Sequence, residues 1–294
     1  MSKLVIIGRH GKKDTVRKED LSDESIGKLY SQGVDIATLF NVNVRPESVV
    51  TFNSQRVRTE ATNKARLAGI LGLMPVPATQ ADVLDGNKYP ALGLVDVNGR
   101  HGLGYYNGEM NEDVFIAGEK IASGHGGKAC TEFGLNNLDA RLHEGMKILP
   151  FGYIVAKSAG VIQEAIQRIK GMHLDKKDLA MIASHAVITD AGIAALVASG
   201  KPGKPGVAGE LAYLPKTVDE IGGSFAEGNY AVLYLAKSGR DGVLFRDSEE
   251  YPVNLGNFSR VVGELQEKYP ASMLVETKRD WFCNHYIETS NRKI

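Results

Sequence analysis

"KLVIIGRHGKKD" (residues 3–14) carries an apolar run into a loop that holds Arg9, His10, Lys12 and Lys13. Leu4 to Gly8 reads as a buried strand, a short continuous apolar run bounded by glycine, as in sheets covered on both faces. Such strands ordinarily end in small turn formers. This one ends in Arg9-His10-Gly11, which concentrates positive charge and a nucleophile where the backbone leaves the core. In open α/β sheets ligands bind beyond the carboxyl ends of the strands, so the residues that leave each strand decide the reading.

Two more strand ends matter. "ESVVTFNS" (47–54) reads as a second strand, followed by a helix in "SQRVRTEATNKARLAGILG" (54–72), with Ser54 as its N-cap candidate and Gly72 as its stop. "DLAMIASHA" (178–186) reads as a third strand, delivering Ser184 and His185, with "TDAGIAALVASG" as the next helix. Ser25 to Phe40 has a helical apolar face weakened by Gly33, and Val161, Ile162, Ala165, Ile166 and Ile169 form a helical stripe. "NYAVLYLAK" (229–237) reads as a strand, and "GVLFRDS" and "SMLVETKR" as edge strands. The predicted fold class is α/β, a three-layer α/β/α sandwich with a mostly parallel central sheet. The chain is expected to form a single domain over 1–294. Residues of about 75–150, dense in glycine and turn formers, are expected to form an inserted cap or lid.

Across 294 residues Lys+Arg and Asp+Glu balance at 35 each, so no global field argues for nucleic acid or an acidic membrane surface. Cys130 and Cys283 are the only cysteines, too few for an all-cysteine zinc site. No signal-peptide core opens the sequence, and no apolar run approaches the ~20 residues that span a bilayer. The expectation is a soluble, cytoplasmic protein. Near the end, "RDWFCNHYIE" (279–288) groups the sole tryptophan with Phe282 and Tyr286, as an element sealing the core or as a subunit contact, which leaves room for a homodimer.

The strand ends converge on a phosphate. Arginine forks match its oxygens bidentately, and helix N-termini add free N–H groups and a positive dipole end. A histidine held neutral at one nitrogen can attack phosphorus, and a second, protonated beside the phosphate, can donate to the equatorial oxygens. Lys12 and Lys13 near the mouth suit a further phosphate or carboxylate on the substrate. "GRHGKK" lacks the glycine and lysine spacing of a P-loop.

"GRHG" at the end of the first strand resembles the signature of the histidine phosphatase superfamily, the phosphoglycerate mutase-like fold. "SQRVRTEAT" places Ser54, Arg58 and Thr62 as S-x-x-x-R-x-x-x-T, which is similar to that family's second phosphate-binding segment. "ASHA" (183–186) resembles its strand-end Ser-His-Gly, with Ala186 in the glycine's place, and "KLYSQGVDIATLF" resembles the helix before strand two. The matches span 3–72 and 153–237. They imply that His10 is the phosphorylated nucleophile, that Arg9, Arg58 and His185 form the phosphate pocket beside Ser54, and that a carboxylic acid protonates the leaving oxygen. The candidates for that acid are Glu109, in "LGYYNGE" (103–109), and then Asp96. The cation cluster stands in for a metal, so neither cofactor nor metal is expected. The expected activity is hydrolysis of a small-molecule phosphomonoester through a phosphohistidine. The alternatives are a phosphoglycerate mutase-like phosphotransferase, and a non-catalytic phospho-ligand or protein-binding module that retains the pocket. "RHGKKDTVRK" lacks the Ser and Asn of a mutase-like continuation, which favours hydrolysis.

Overall fold

β1 (Lys3–Arg9) has a fully buried interior whose side chains divide between two apolar clusters, Leu4 and Ile6 in one and Val5 and Ile7 in the other. Such a strand must lie between two layers of helices. In a computed structural model of the chain, residues 3–17, 20–54, 57–97, 126–139, 150–171, 177–201, 210–236, 239–270 and 272 are described. Around β1 stand β2 (Val49–Asn53), β3 (Asp96–Val97), β4 (Leu179–Ser184), β5 (Tyr230–Leu235), β6 (Asp241–Arg246) and β7 (Glu249–Asn254), in the order β3-β2-β4-β1-β5-β6-β7. Helices α1 (Asp23–Leu39) and α2 (Val57–Ile70) cover one face, with the short α3 (Gln80–Leu84) and α4 (Pro90–Gly93) beside them. Helices α5 (Gly126–Asn136), α6 (Phe151–Lys170), α7 (Ala186–Ser199) and α8 (Leu255–Lys268) pack on the other. Among the described residues, no helix is long and apolar enough to cross a membrane.

The sheet is mixed, which corrects the expectation of a mostly parallel one. β1 pairs in parallel with β4, and β2 with β4 and β3, but β5 runs antiparallel to β1, and β5-β6-β7 is an antiparallel meander. For β6 and β7 the cause is connection length. Residues 236–240 and 247–248 are far too short for a parallel crossover, which needs about a dozen residues or more, so the chain must turn back on itself. Asp247, with φ of 51°, adopts the left-handed conformation that such a tight hairpin requires.

Elements read from sequence fall close to their expected places, with α6 longer than its stripe, with β3, α3, α4, α5, β7 and α8 unanticipated, and with β6, expected at an edge, lying between β5 and β7. "SMLVETKR" lies outside the described residues, as do residues 98–125 and 140–149 of the expected cap. The start of that stretch packs as part of the core layer: Val83, Tyr89, Leu92 and Val95 join the α1/α2 cluster, and β3 extends the sheet.

Gly33 looks like a flaw in α1 but sits where α1 crosses α2. A Cβ there would lie 2.0 Å from the Arg66 carbonyl oxygen, and one at Gly69 would lie 2.0 Å from that of Tyr30. The backbones touch, which fixes α2 and with it the residues at its first turn. Gly33→Ala is therefore expected to cost about 1–3 kcal/mol or more through overpacking. Gly27→Ala, in the same helix with no neighbour within 4 Å, is expected to gain up to about 1 kcal/mol from helix propensity. Urea denaturation midpoints of the two variants check the contrast, and equal shifts would remove it.

Candidate active site

Strand register brings the site together. Arg9 is paired with Ser184 and Asn53 with Ala183, so the residues that follow, His10, His185 and Ser54, leave three neighbouring strands at one level. The ladder continues into them: His10 N–H donates to Ser184 C=O (2.9 Å) and Ser54 N–H to Ala183 C=O (3.3 Å). The two imidazoles meet edge to face, with centroids 5.0 Å apart and planes at 70°.

His10 is buried, 2% exposed, and its Nδ1 lies 2.7 Å from the Gly11 carbonyl oxygen. A carbonyl only accepts, so Nδ1 carries the proton and Nε2 keeps its lone pair. The loop that achieves this is tied down twice. Gly11 N–H donates to Thr62 Oγ1 (3.1 Å), whose hydroxyl donates to the Arg58 carbonyl (2.8 Å), and Gly228 N–H donates to the His10 carbonyl (2.8 Å). At Gly11 a Cβ would lie 2.3 Å from Ser25 Oγ, so the third residue of Arg-His-Gly has no room for a side chain.

Each member of the Ser54, Arg58, Thr62 pattern has a distinct part. Thr62 joins α2 to the Arg-His-Gly loop. The Ser54 hydroxyl lies 3.3 Å from His185 Nε2 and 3.1 Å from Thr59 Oγ1. Arg58 is buried, and its charge acts on both histidines. Both α2 and α7 begin at this edge of the sheet, α7 with His185 at its N-cap. Their dipoles add positive potential where an anion would sit.

Burial, together with the positive charges of Arg58, Arg9 and Lys13, lowers the His10 pKa to about 3, against the opposing hydrogen bond to Gly11. His185 is pushed well below its usual value by burial first, and then by His10, Arg58, Lys13 and Arg9. The sequence leads one to expect a second histidine protonated by a neighbouring phosphate; with no anion beside them, burial and the surrounding cations favour the neutral form of both imidazoles.

Arg9 is held from the opposite side. Its Nη1 donates to the Phe225 carbonyl (2.9 Å), Nη2 lies 3.9 Å from Glu227, and Nε is buried without a hydrogen-bond partner among the described residues. Burial lowers its pKa, offset by Glu227 and Asp190. Ser184 Oγ is likewise buried without a partner among the described residues. Such donors carry a desolvation cost that an oxyanion relieves.

Lys12 is exposed, and its backbone N–H bonds to Ser25 Oγ (2.9 Å); the lysine whose charge reaches both histidines is its neighbour Lys13. Glu109 lies outside the described residues, and Asp96 is described only as part of β3. Sequence reading passed over Glu227, in a loop without motif, and left Asp190 without a role. One signal was available for Asp190: it is a carboxylate inside α7, a helix buried at every position.

No family model matches the sequence, and no curated protein matches it. Among solved structures, the apo form of Hafnia alvei phytase superposes with a TM-score of 0.41 at 12% identity, over 90% of this chain and 96% of that one. At that overlap the likeness bears on neither fold nor chemistry.

Because the unfolded chain protonates its histidines near the ordinary value of 6.5 and folded His10 only near 3, the unfolded state binds more protons throughout that window. Stability is therefore full above about pH 6.5 and falls as pH drops toward 3. The thermal midpoint of the wild type is expected to fall more steeply between pH 7 and pH 4 than that of His10→Gln. Identical slopes would show that the buried neutral imidazole contributes nothing.

Proposed function

We propose that the protein is a phosphomonoester hydrolase working through a phosphohistidine. The observation that carries this reading is the paired imidazoles: His10 has its Nδ1 proton fixed on Gly11 and its Nε2 lone pair free, within the field of Arg9, Arg58 and Lys13. In the proposed reaction His10 Nε2 attacks phosphorus in line. The N–P bond forms as the P–O bond to the alcohol breaks, and Arg9, Arg58 and His185 stabilise the three non-bridging oxygens. The phosphorylated ring keeps its Nδ1 proton, which the Gly11 carbonyl continues to accept.

The departing alkoxide takes a proton from a carboxylic acid, which then removes one from the water that cleaves the N–P bond. Two residues suit that role, Glu109, from the sequence reading, and Glu227, whose carboxylate lies beside Arg9. The substrate is a small phosphorylated molecule, and Lys12 and Lys13, which follow the Arg-His-Gly loop, favour a second anionic group on it.

A panel of phosphomonoesters presented to wild type and His10→Ala tests the reading. Wild type is expected to release free phosphate and to form an acid-labile, base-stable phosphoenzyme. His10→Ala is expected to lose about a thousand-fold or more in kcat. Isomerised substrate in place of free phosphate would mark a phosphotransferase, and binding without turnover a phospho-ligand module.

A second measurement finds the acid. Replacing it with glutamine is expected to slow alkyl phosphates by about 100-fold while sparing the first-turnover burst of p-nitrophenol from p-nitrophenyl phosphate, whose leaving group needs no proton. One of Glu109→Gln and Glu227→Gln should behave so, and normal alkyl phosphate turnover in both would exclude the pair.

A further inference from the structure

The proposed mechanism makes no use of Asp190, yet its carboxylate is wholly buried, 0% exposed, on the helix that His185 caps. A buried carboxylate is costly unless its oxygens are engaged, and here they are. Oδ1 accepts from Phe225 N–H (3.0 Å), and Oδ2 accepts from Ser224 Oγ (2.6 Å) and, more distantly, from Thr131 Oγ1 (3.5 Å). Fixed donors on both oxygens leave no geometry for handing a proton to a substrate.

What Asp190 grips is the segment that holds the Arg-His-Gly loop. Phe225 gives its amide to Asp190 and its carbonyl to Arg9 Nη1. Farther on, Gly228 N–H donates to the His10 carbonyl, and the Asn229 carbonyl accepts from Arg9 N–H (3.0 Å). Arg66, fully buried on α2, holds the Gly228 carbonyl through Nη2 (2.6 Å). On the remaining side, the Arg246 guanidinium stacks 3.8 Å from the Phe225 ring centroid and donates to the Ile221 carbonyl (2.5 Å). Asp190 is the carboxylate that acts electrostatically on both Arg9 and Arg246.

We infer that Asp190 is a positioning residue for Arg9: through Ser224 and Phe225 it fixes the 224–229 segment, and the Phe225 carbonyl then aims the guanidinium at the site. This rests on the reading of Arg9 as a phosphoryl ligand. Because α7 carries both His185 and Asp190, one rigid helix sets the second imidazole and the aim of an arginine from another strand. The device matters because misplacing a binding group by about 1 Å can cost on the order of 100-fold in rate.

The experiment is a mutant cycle on the full chain, using Asp190→Ala, Asp190→Asn, Arg9→Ala and the double variant Arg9→Ala/Asp190→Ala. Each is measured for p-nitrophenyl phosphate hydrolysis and for orthovanadate affinity, with circular dichroism to establish folding. Asp190→Ala is expected to lower kcat/KM by about 10–100-fold. Asp190→Asn is expected to restore most of that, because its amide oxygen still accepts from Phe225 while its NH2 faces the hydroxyls of Ser224 and Thr131. The double variant should be no worse than Arg9→Ala alone, since residues acting through one contact are not additive. Multiplying losses, or no rescue by asparagine, would overturn the proposal.

Should Asp190→Ala fail to fold, Ser224→Ala removes one anchoring bond without opening a large cavity. It should lower vanadate affinity several-fold in the wild-type background and not at all in Arg9→Ala; equal effects in both would overturn the proposal. A wild type that neither hydrolyses nor binds vanadate would sink the phosphatase reading instead. Amide hydrogen exchange would then decide the positioning claim: Ser224→Ala should speed exchange at Phe225, Gly228 and Arg9 together, and unchanged exchange would refute it.

Discussion

The hydrogen bond from His10 N–H to the Ser184 carbonyl is the last rung of the β1/β4 ladder and the first contact of the site. Side chains alternate along a strand, so one residue of slip would turn every side chain of β1 to the opposite layer. Leu4 and Ile6 belong to the α1/α2 cluster, and Val5 and Ile7 to the cluster of α6, α7 and α8, so the core itself enforces the register. His10 stands beside His185 because two apolar layers fix where the strands end.

A second constraint is electrostatic. The strand ends and the first turn of α2 bring the charges of Arg9, Arg58 and Lys13 to bear on two imidazoles, and the burial that packs the strands also removes the water that would solvate a charge on either ring. Neutral histidines are the result, because a further positive charge there is unfavourable until an anion arrives. The Nδ1 contact with the Gly11 carbonyl resolves the remaining freedom by choosing the tautomer. An imidazole that is neutral at pH 7, with its lone pair on Nε2, thus follows from packing.

Most of what holds the site comes from outside its own motifs. The α1/α2 crossing at Gly33 and Gly69 sets the angle of the helix that bears Arg58 and Thr62. The 224–229 segment, clamped by Asp190 at one end and Arg66 at the other, closes the Arg-His-Gly loop from the antiparallel side of the sheet. The sheet's change from parallel to antiparallel at β5 is therefore part of the site's construction. An antiparallel β5 begins where β1 ends, so the approach to β5 lies beside Arg9 and His10.

Taken alone, the sequence determined β1, β2 and β4 and the residues that leave them, because continuous apolar runs and the cationic or hydroxyl residues beyond them are local signals. It also determined the helical spacing of Ser54, Arg58 and Thr62. Only the tertiary structure decided that the charge of Lys13 acts on both histidines, that Glu227 stands beside Arg9, and that Asp190 braces the loop between them. Those outcomes depend on where a side chain points and on contacts across 35 to 218 residues of chain, and neither leaves a periodic trace. The antiparallel meander lies between these cases: its short connections are visible in the sequence, but their meaning depends on where the strands begin and end, which the folded sheet alone fixes.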